Sequence, residues 1–298
     1  MLDSNVKVPV HRALLVGLGS MGQRYLDLLD DVVPKTGLYV CDTSPSRLAG
    51  VMCADSSTDL RELLSILDND GGPDIVIVAS PASTHLDVLA DVLELAPLAG
   101  VLVEKPLVNG ALCDHPRLDI FGPVVFTRCI AVGYNWRYHP MVERVSRFAD
   151  QIVDVTLYVA DEMNNWPGDY GDWLSEFSHE LDIVRVWTRD PTVESVTMTG
   201  DGAVIRGFHR QGRWTVIVRP HHLPKGRWVR LRMADGGRVS YAWDTSQIED
   251  TYRDQLHDFV KAWSTSGRPQ SLRCSLADGM ATAELLDECH LALSDGLE

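Results

Sequence analysis

The stretch ALLVGLGSMGQRYL, residues 13–26, decides the fold. Ala13 to Val16 is an apolar run of strand length. Gly17, Gly19 and Gly22 follow as G-x-G-x-x-G, and Tyr25, Leu26 and Leu29 continue as a helical pattern. A strand, a glycine turn and a helix in that order suit a dinucleotide. Gly17 allows the tight turn, Gly19 lets a pyrophosphate approach the backbone, and Gly22 lets the helix pack close to the strand. The exposed N–H groups at the helix start, with the helix dipole behind them, suit a diphosphate.

The glycines alone would also fit any tight strand-to-helix turn, and CDTSPSR would fit an ordinary Asp cap. The discriminating feature is the next strand. Leu38-Tyr39-Val40-Cys41 is a second apolar run, and Asp42 ends it, about 20 residues beyond the glycines. A carboxylate there accepts hydrogen bonds from the adenosine ribose hydroxyls and repels a 2′-phosphate. The pattern therefore predicts NAD, with NADP less favoured.

Further along, residues 45–50 read as a short helix and 51–54 as a short apolar piece. Residues 57–67 read as a helix with Leu60, Leu63, Leu64 and Leu67 at helical spacing. Asp74-Ile75-Val76-Ile77-Val78-Ala79 is the continuous β-branched run of a strand buried on both faces. Residues 84–95 read as helix, 101–103 as a buried strand and 124–134 as a last strand. This alternation predicts an α/β Rossmann domain, a doubly wound parallel sheet, over residues 1–134. Ligands in such sheets lie beyond the carboxyl ends of the strands, where the glycine turn, Asp42, residues 80–85 and residues 104–106 all fall.

Past residue 150 the pattern changes. Residues 152–159 read as a strand, 164–171 as a loop rich in Asn, Pro and Gly, and 174–187 as a helix. Between residues 192 and 243, short runs are broken by Asp201-Gly202, Gln211-Gly212, Lys225-Gly226 and Gly236-Gly237, the signature of an antiparallel meander. Residues 249–264 and 276–293 read as helices. The expectation is an α+β domain over residues 135–298, with an open, mainly antiparallel sheet and helices on one side.

Bulk properties narrow the function classes. The 298 residues carry a net charge of −15, which disfavours nucleic acid and anionic membrane surfaces, since both need a basic face. The six cysteines form no C-x-x-C and read as reduced thiols of a cytoplasmic protein. No signal-peptide pattern and no apolar run long enough for a membrane span is apparent.

Three constellations carry chemistry. Glu104-Lys105-Pro106 puts a lysine directly after a buried strand, at the ligand edge. Desolvation and a nearby nicotinamide would lower its pKa into a range useful for moving a hydroxyl proton; the structural alternative is a solvated lysine paired with Glu104. His179 shares a helical face with Glu176 and Asp182, so a carboxylate one turn away could orient the imidazole. The alternative is a partly buried histidine with a local salt link. Gly133-Tyr134-Asn135-Trp136-Arg137-Tyr138-His139-Pro140 packs an amide, a guanidinium, an imidazole and three aromatics together, suiting either a hydroxyl-rich or anionic ligand or a packed hinge. His85, in Pro81-Ala82-Ser83-Thr84-His85, either lies along the nicotinamide ribose or caps the next helix. His209 and His221-His222 are expected to face water. Trp166 and Trp173 flank the Asn/Gly loop and could stack on a sugar ring. No metal-ligand spacing is present.

Taken together, these segments resemble the Gfo/Idh/MocA oxidoreductases, named for glucose-fructose oxidoreductase and inositol dehydrogenase. The resemblance runs nearly end to end, through VGLGSMGQRYL, the Asp42 strand end, IVIVASPASTHLDVL, VLVEKPL, GYNWRYHP, the SHELD helix and ADGMATAELLDECHLAL. It implies an NAD-dependent dehydrogenase or ketoreductase acting on a secondary alcohol of a sugar, polyol or nucleotide sugar. Lys105 and His179 would be catalytic. Gly17, Gly19, Ser20, Met21, Gly22, Asp42, Arg47, Ser80, Pro81, His85, Glu104 and Lys105 would hold the cofactor. Asn135, Arg137, Trp166, Glu176, His179 and Asp182 would hold the substrate. The resemblance also implies a homodimer or homotetramer through the second sheet. One position departs: the family commonly carries Asp four residues before the histidine, and here Ser175 stands there. Two other readings follow from relatives and from that departure: a glycosidase using transient oxidation by NAD, and a non-catalytic dinucleotide sensor.

Overall fold

The computed structural model describes residues 10–69, 71–108, 112, 118–160, 174, 176–200, 202–219, 226–266 and 271–295. The chain divides into two compact units, Met1–Gly133 with Arg253–Gly279, and Tyr134–Tyr252 with Met280–Glu298.

The first unit is built on six parallel strands: β1 (Ala13–Val16), β2 (Leu38–Cys41), β3 (Asp55–Ser57), β4 (Ile75–Val78), β5 (Gly100–Val103) and β6 (Ile130–Val132). Their order is β3-β2-β1-β4-β5-β6. The order reverses between β1 and β4, and a ligand crevice is expected at such a switch. Helices α1 (Ser20–Leu29), α2 (Pro45–Leu48), α3 (Leu60–Asp68), α4 (His85–Leu95) and α5 (Leu118–Phe121) connect the strands. All four residues of β4 are fully buried, as their β-branched run requires. Asp59 starts α3 by accepting the N–H groups of Arg61 and Glu62.

Three expectations shift here. The third strand is Asp55–Ser57, just after the apolar piece at 51–54, so Ser57 ends a strand and the helix expected from 57 starts at Leu60. The strand expected over 124–134 contracts to Ile130–Val132. The N–H groups of Val124, Val125, Thr127 and Arg128 are taken by carbonyls three or four residues back, so they cannot join the ladder. Finally, residues 253–279 pack with the first unit, where an unbroken second domain from 135 had been expected. Gly100 explains this: a Cβ there would sit 2.8 Å from the Trp263 ring and 3.2 Å from Phe259, so the bare backbone of β5 makes room for the helix Ile248–Ser266.

The second unit contains α6 (Pro140–Ser146), β7 (Ile152–Ala160), α7 (Ser178–Trp187), β8 (Thr192–Thr199), β9 (Gly202–His209), β10 (Gly212–Arg219), β11 (Gly226–Met233) and β12 (Arg238–Trp243). The strands begin at Gly202, Gly212 and Gly226, as the turn pairs predicted. The meander is interrupted, however: the order is β12-β11-β7-β10-β9-β8, and β7 lies between β10 and β11, parallel to β10. The inserted strand alternates buried Val155, Leu157 and Val159 with partly exposed residues. Its inner face joins Trp214, Val216 and Val229 from the neighbouring strands and Leu181, Val184 and Trp187 from α7 in one core. His209, expected in water, is buried, with Nε2 3.0 Å from the Val153 carbonyl. His221-His222 lie outside the described residues. No described helix is long and apolar enough to cross a membrane.

Candidate active site

The glycine turn is set by contacts no side chain would permit. Gly17 has φ +93°, and a Cβ there would lie 2.6 Å from the Ser80 nitrogen. At Gly22 a Cβ would come within 2.0 Å of the Gly17 carbonyl, so α1 lies directly against the turn. Gly19 is different: a Cβ there would meet nothing within 4 Å. It stands at the N-cap of α1 without a side-chain cap, and the first turn holds no acidic residue. Open space beside uncapped N–H groups is what a pyrophosphate needs.

Asp42 follows β2 and is 5 % exposed. Its Oδ2 accepts the Leu18 N–H at 2.7 Å and its Oδ1 the Ser44 N–H at 2.8 Å, while Arg47 stands 3.4 Å from Oδ2. Burial works against ionisation, but the two N–H groups and Arg47 outweigh it and hold the carboxyl below its ordinary value. The residue is thus an anion fixed to the glycine turn itself. Its neighbour Cys41 has a thiol pushed up to about 11, mainly by burial, and so is no nucleophile.

Glu104 and Lys105 follow β5. Glu104 is buried, with Oε1 accepting the Tyr25 hydroxyl at 2.6 Å and Oε2 the Lys105 N–H at 3.1 Å. Burial raises its pKa, and those partners with the nearby Lys105 and Arg24 charges only partly offset this. Lys105 is half-buried, and the Lys105–Pro106 bond is cis. Ser80 follows β4, with its hydroxyl 2.7 Å from that of Thr84. His85 is 1 % exposed and reaches the Pro106 carbonyl with Nδ1 (2.9 Å) and the Ser80 carbonyl with Nε2 (2.8 Å). It neither caps α4 through its side chain nor offers a face to a ligand: it is a buried link between two strand-end loops.

In the second unit, His179 occupies the first turn of α7 and is buried, edge-on to Tyr134 at 5.8 Å and to Trp136 at 6.1 Å. Asp182 lies one turn on, but it faces Arg137 instead: Nε–Oδ2 is 2.8 Å and Nη2–Oδ1 is 2.6 Å, with Thr282 Oγ1 donating to Oδ1 at 3.0 Å. Both partners are nearly inaccessible. Leu174 and Glu176 are helical, as expected from 174, with a turn at Phe177 before α7 starts at Ser178; Glu176 is exposed. Trp166 and Ser175 lie outside the described residues. Asn135 donates to Thr251 Oγ1 at 2.7 Å, and His139 caps α6 through Nδ1 with Nε2 on the Asp244 carbonyl. Among the described residues, buried polar atoms with no hydrogen-bond partner include Asn135 Oδ1, Ser178 Oγ and Glu180 Oε2.

Residues 11–114 match the model of the oxidoreductase family GFO_IDH_MocA, NAD-binding Rossmann fold. That match covers about a third of the chain, its NAD-binding Rossmann part. Over 193 residues, 62% of this chain, the protein is 27% identical to inositol 2-dehydrogenase of Rubrobacter xylanophilus, and the match spans 54% of that relative. Among solved structures, the fold is shared with GenD2 from gentamicin A biosynthesis in complex with NAD, at a TM-score of 0.74 and 21% identity over 96% of this chain and 95% of that one. It is also shared with scyllo-inositol dehydrogenase of Lactobacillus casei with bound NAD(H) and scyllo-inositol, at a TM-score of 0.77 and 11% identity over 97% and 98%.

Within the matched region, the turn glycines, Asp42, Ser80 and Lys105 all sit at carboxyl ends of parallel strands. Two contacts escaped the sequence reading. Tyr25 was read only as an apolar helix position, although a tyrosine on a buried face needs a partner for its hydroxyl, and Glu104 is that partner. Arg227 and Glu180, in the second unit, form a 3.1 Å pair with the guanidinium 5.0 Å over Trp136. Nothing in the spacing of residues 180 and 227 announces that contact.

Proposed function

We propose that this chain is an NAD-dependent oxidoreductase acting on a secondary alcohol of a cyclic polyol or a sugar, nucleotide sugars included. The observation that carries this is the position of Lys105: it lies two residues past β5, on the same strand-end edge as the open Gly19 turn and the anionic Asp42. The bound inositol and NAD(H) of a structural neighbour support the substrate class. Bound nicotinamide supplies a hydride acceptor or donor.

The chain's own groups do the rest. The N–H groups at the start of α1 and the Gly19 backbone bind the pyrophosphate, and Asp42 binds the ribose hydroxyls and disfavours a 2′-phosphate. Arg47, Ser80 and Pro81 border the same edge. Lys105 takes the proton from the substrate hydroxyl, or returns it, and His179 assists. Asn135 Oδ1 is an acceptor awaiting a hydroxyl. Arg137 and Asp182 serve as a buried support for α7, because each already satisfies the other. The outer face of the second sheet, where Tyr158 and Trp228 meet at 5.2 Å, is the surface for self-association, which light scattering can measure.

Inositols, sugars and nucleotide sugars screened with NAD by reduced-nicotinamide fluorescence test the reaction. Turnover is expected with at least one. Lys105→Ala should keep NADH affinity and lose about two or more orders of magnitude in turnover. Near-normal turnover would remove Lys105 from the mechanism. NADH binding without oxidation of any alcohol would favour the sensor reading.

A further inference from the structure

His85 stands apart from the groups used so far. It is a fully buried imidazole whose two nitrogens both meet main-chain oxygens, 2.9 Å from the Pro106 carbonyl and 2.8 Å from the Ser80 carbonyl. Those two oxygens belong to the loops after β5 and β4. One loop carries Lys105 and the other carries Ser80 and Pro81. A carbonyl only accepts, so a ring that satisfies both must bear two N–H groups; the neutral ring bears one. On the elements that carry its two partners, the titratable side chains are Asp87 on its own helix and Glu104 and Lys105 on the β5 loop; the β4 loop, residues 79–84, has none, and none of these charges shifts the ring.

We propose that His85 is a positioning residue for Lys105, bridging the β4 and β5 loops so that the ammonium is held at a fixed place on the strand-end edge. The bridge acts through the main chain: the Pro106 carbonyl belongs to the residue after Lys105, so its anchoring restricts the lysine's backbone. In acid the ring donates to both carbonyls, and above neutrality it keeps only one of the two bonds. Burial holds the imidazole below its ordinary value of 6.5, against the pull of the carbonyls, which puts the doubly bonded state on the acid side. The inference extends the proposed role of Lys105 and rests on it only for the kinetic part of the test.

The test compares wild type with His85→Ala, which removes both bonds, and His85→Asn, which keeps one donor. Lysines are reductively methylated with carbon-13, and the Lys105 resonance is assigned by its absence in Lys105→Arg. Expected in His85→Ala is a shifted or broadened Lys105 titration and a kcat lower by about ten- to a hundredfold, the scale of an ångström-sized misplacement. NADH affinity should change by about threefold or less, and His85→Asn should recover part of the loss. Folded variants with an unchanged Lys105 titration and unchanged kcat overturn the proposal. Should the variants not fold, nitrogen-15 spectra of wild-type histidine decide: two protected His85 ring N–H signals in acid and one above neutrality are required, and one throughout overturns it. If wild type oxidises no alcohol, the reading of the reaction fails, while the lysine titration and ring signals still judge His85.

Discussion

The two units treat their polar residues in opposite ways. In the first, the glycine turn leaves backbone N–H groups and open space at Gly19, and Asp42 stays anionic at the strand end. In the second, the polar side chains that looked most like ligand contacts are joined to each other: Arg137 to Asp182, Asn135 to Thr251, and His139 to its helix and to Asp244. The contrast teaches that a functional backbone can be read from residue spacing, because only glycine fits there. A guanidinium or carboxylate, by contrast, serves equally as a ligand contact or as a strut, and its partner decides which.

Substitutions in the two units should differ in what they cost. The largest loss is expected from Gly22→Ala and Gly17→Ala, since each Cβ would overlap main-chain atoms. Chemical denaturation should show about 4 kcal/mol or more lost, with NADH binding abolished. Mild effects would mean the turn is not rigidly packed.

Next comes Asp182→Ala, which removes the carboxylate paired with a buried guanidinium and should cost about 3–5 kcal/mol. If the pair is a strut, changing both Arg137 and Asp182 to leucine should recover most of that. A rise in KM without a loss of stability would instead return these residues to the substrate.

Tyr25→Phe removes the hydroxyl that donates to Glu104 and should cost about 1–3 kcal/mol. The folded Glu104 pKa lies above its ordinary value of 4.5. Its contribution to stability is therefore complete below 4.5 and is lost as pH rises through the folded value. Tyr25→Phe should push that value higher, so its stability deficit should be smallest in acid, as thermal melts from pH 4 to 8 can show.

Asp42→Asn should weaken NADH about tenfold and raise the relative affinity for NADPH, as isothermal titration would show. Asp42 responds to pH in the opposite sense to Glu104. Asp42 has a lowered folded pKa, so its stabilisation is complete above 3.8 and fails only as pH falls through the lower folded value. The smallest effect belongs to Arg61, whose contacts with Asp91 and Glu94 join α3 to α4 at the exposed surface. Arg61→Ala should shift the melting temperature by about a degree or less, and by less still in high salt.

Much of the first unit was legible because its signals are local. The apolar run Ile75–Val78, the glycine spacing and Asp42 each act within a few residues of chain. The boundary of β6 was less legible, because the residues before it form turns with their own neighbours. In the second unit the turn glycines located four strands, yet the insertion of β7 between β10 and β11 was hidden. That pairing joins residues about sixty positions apart and depends on which faces bury together.

By itself, the sequence determined the Rossmann alternation, the dinucleotide turn and the strand-end lysine, since periodicity and the absence of a Cβ act wherever the chain folds. Tertiary structure alone decided that Tyr25 supports Glu104, that His85 joins two loops, that Asp182 belongs to Arg137 and that residues 253–279 pack on β5. Each of these is a contact between distant positions, chosen by burial and by the need of every enclosed polar atom for a partner.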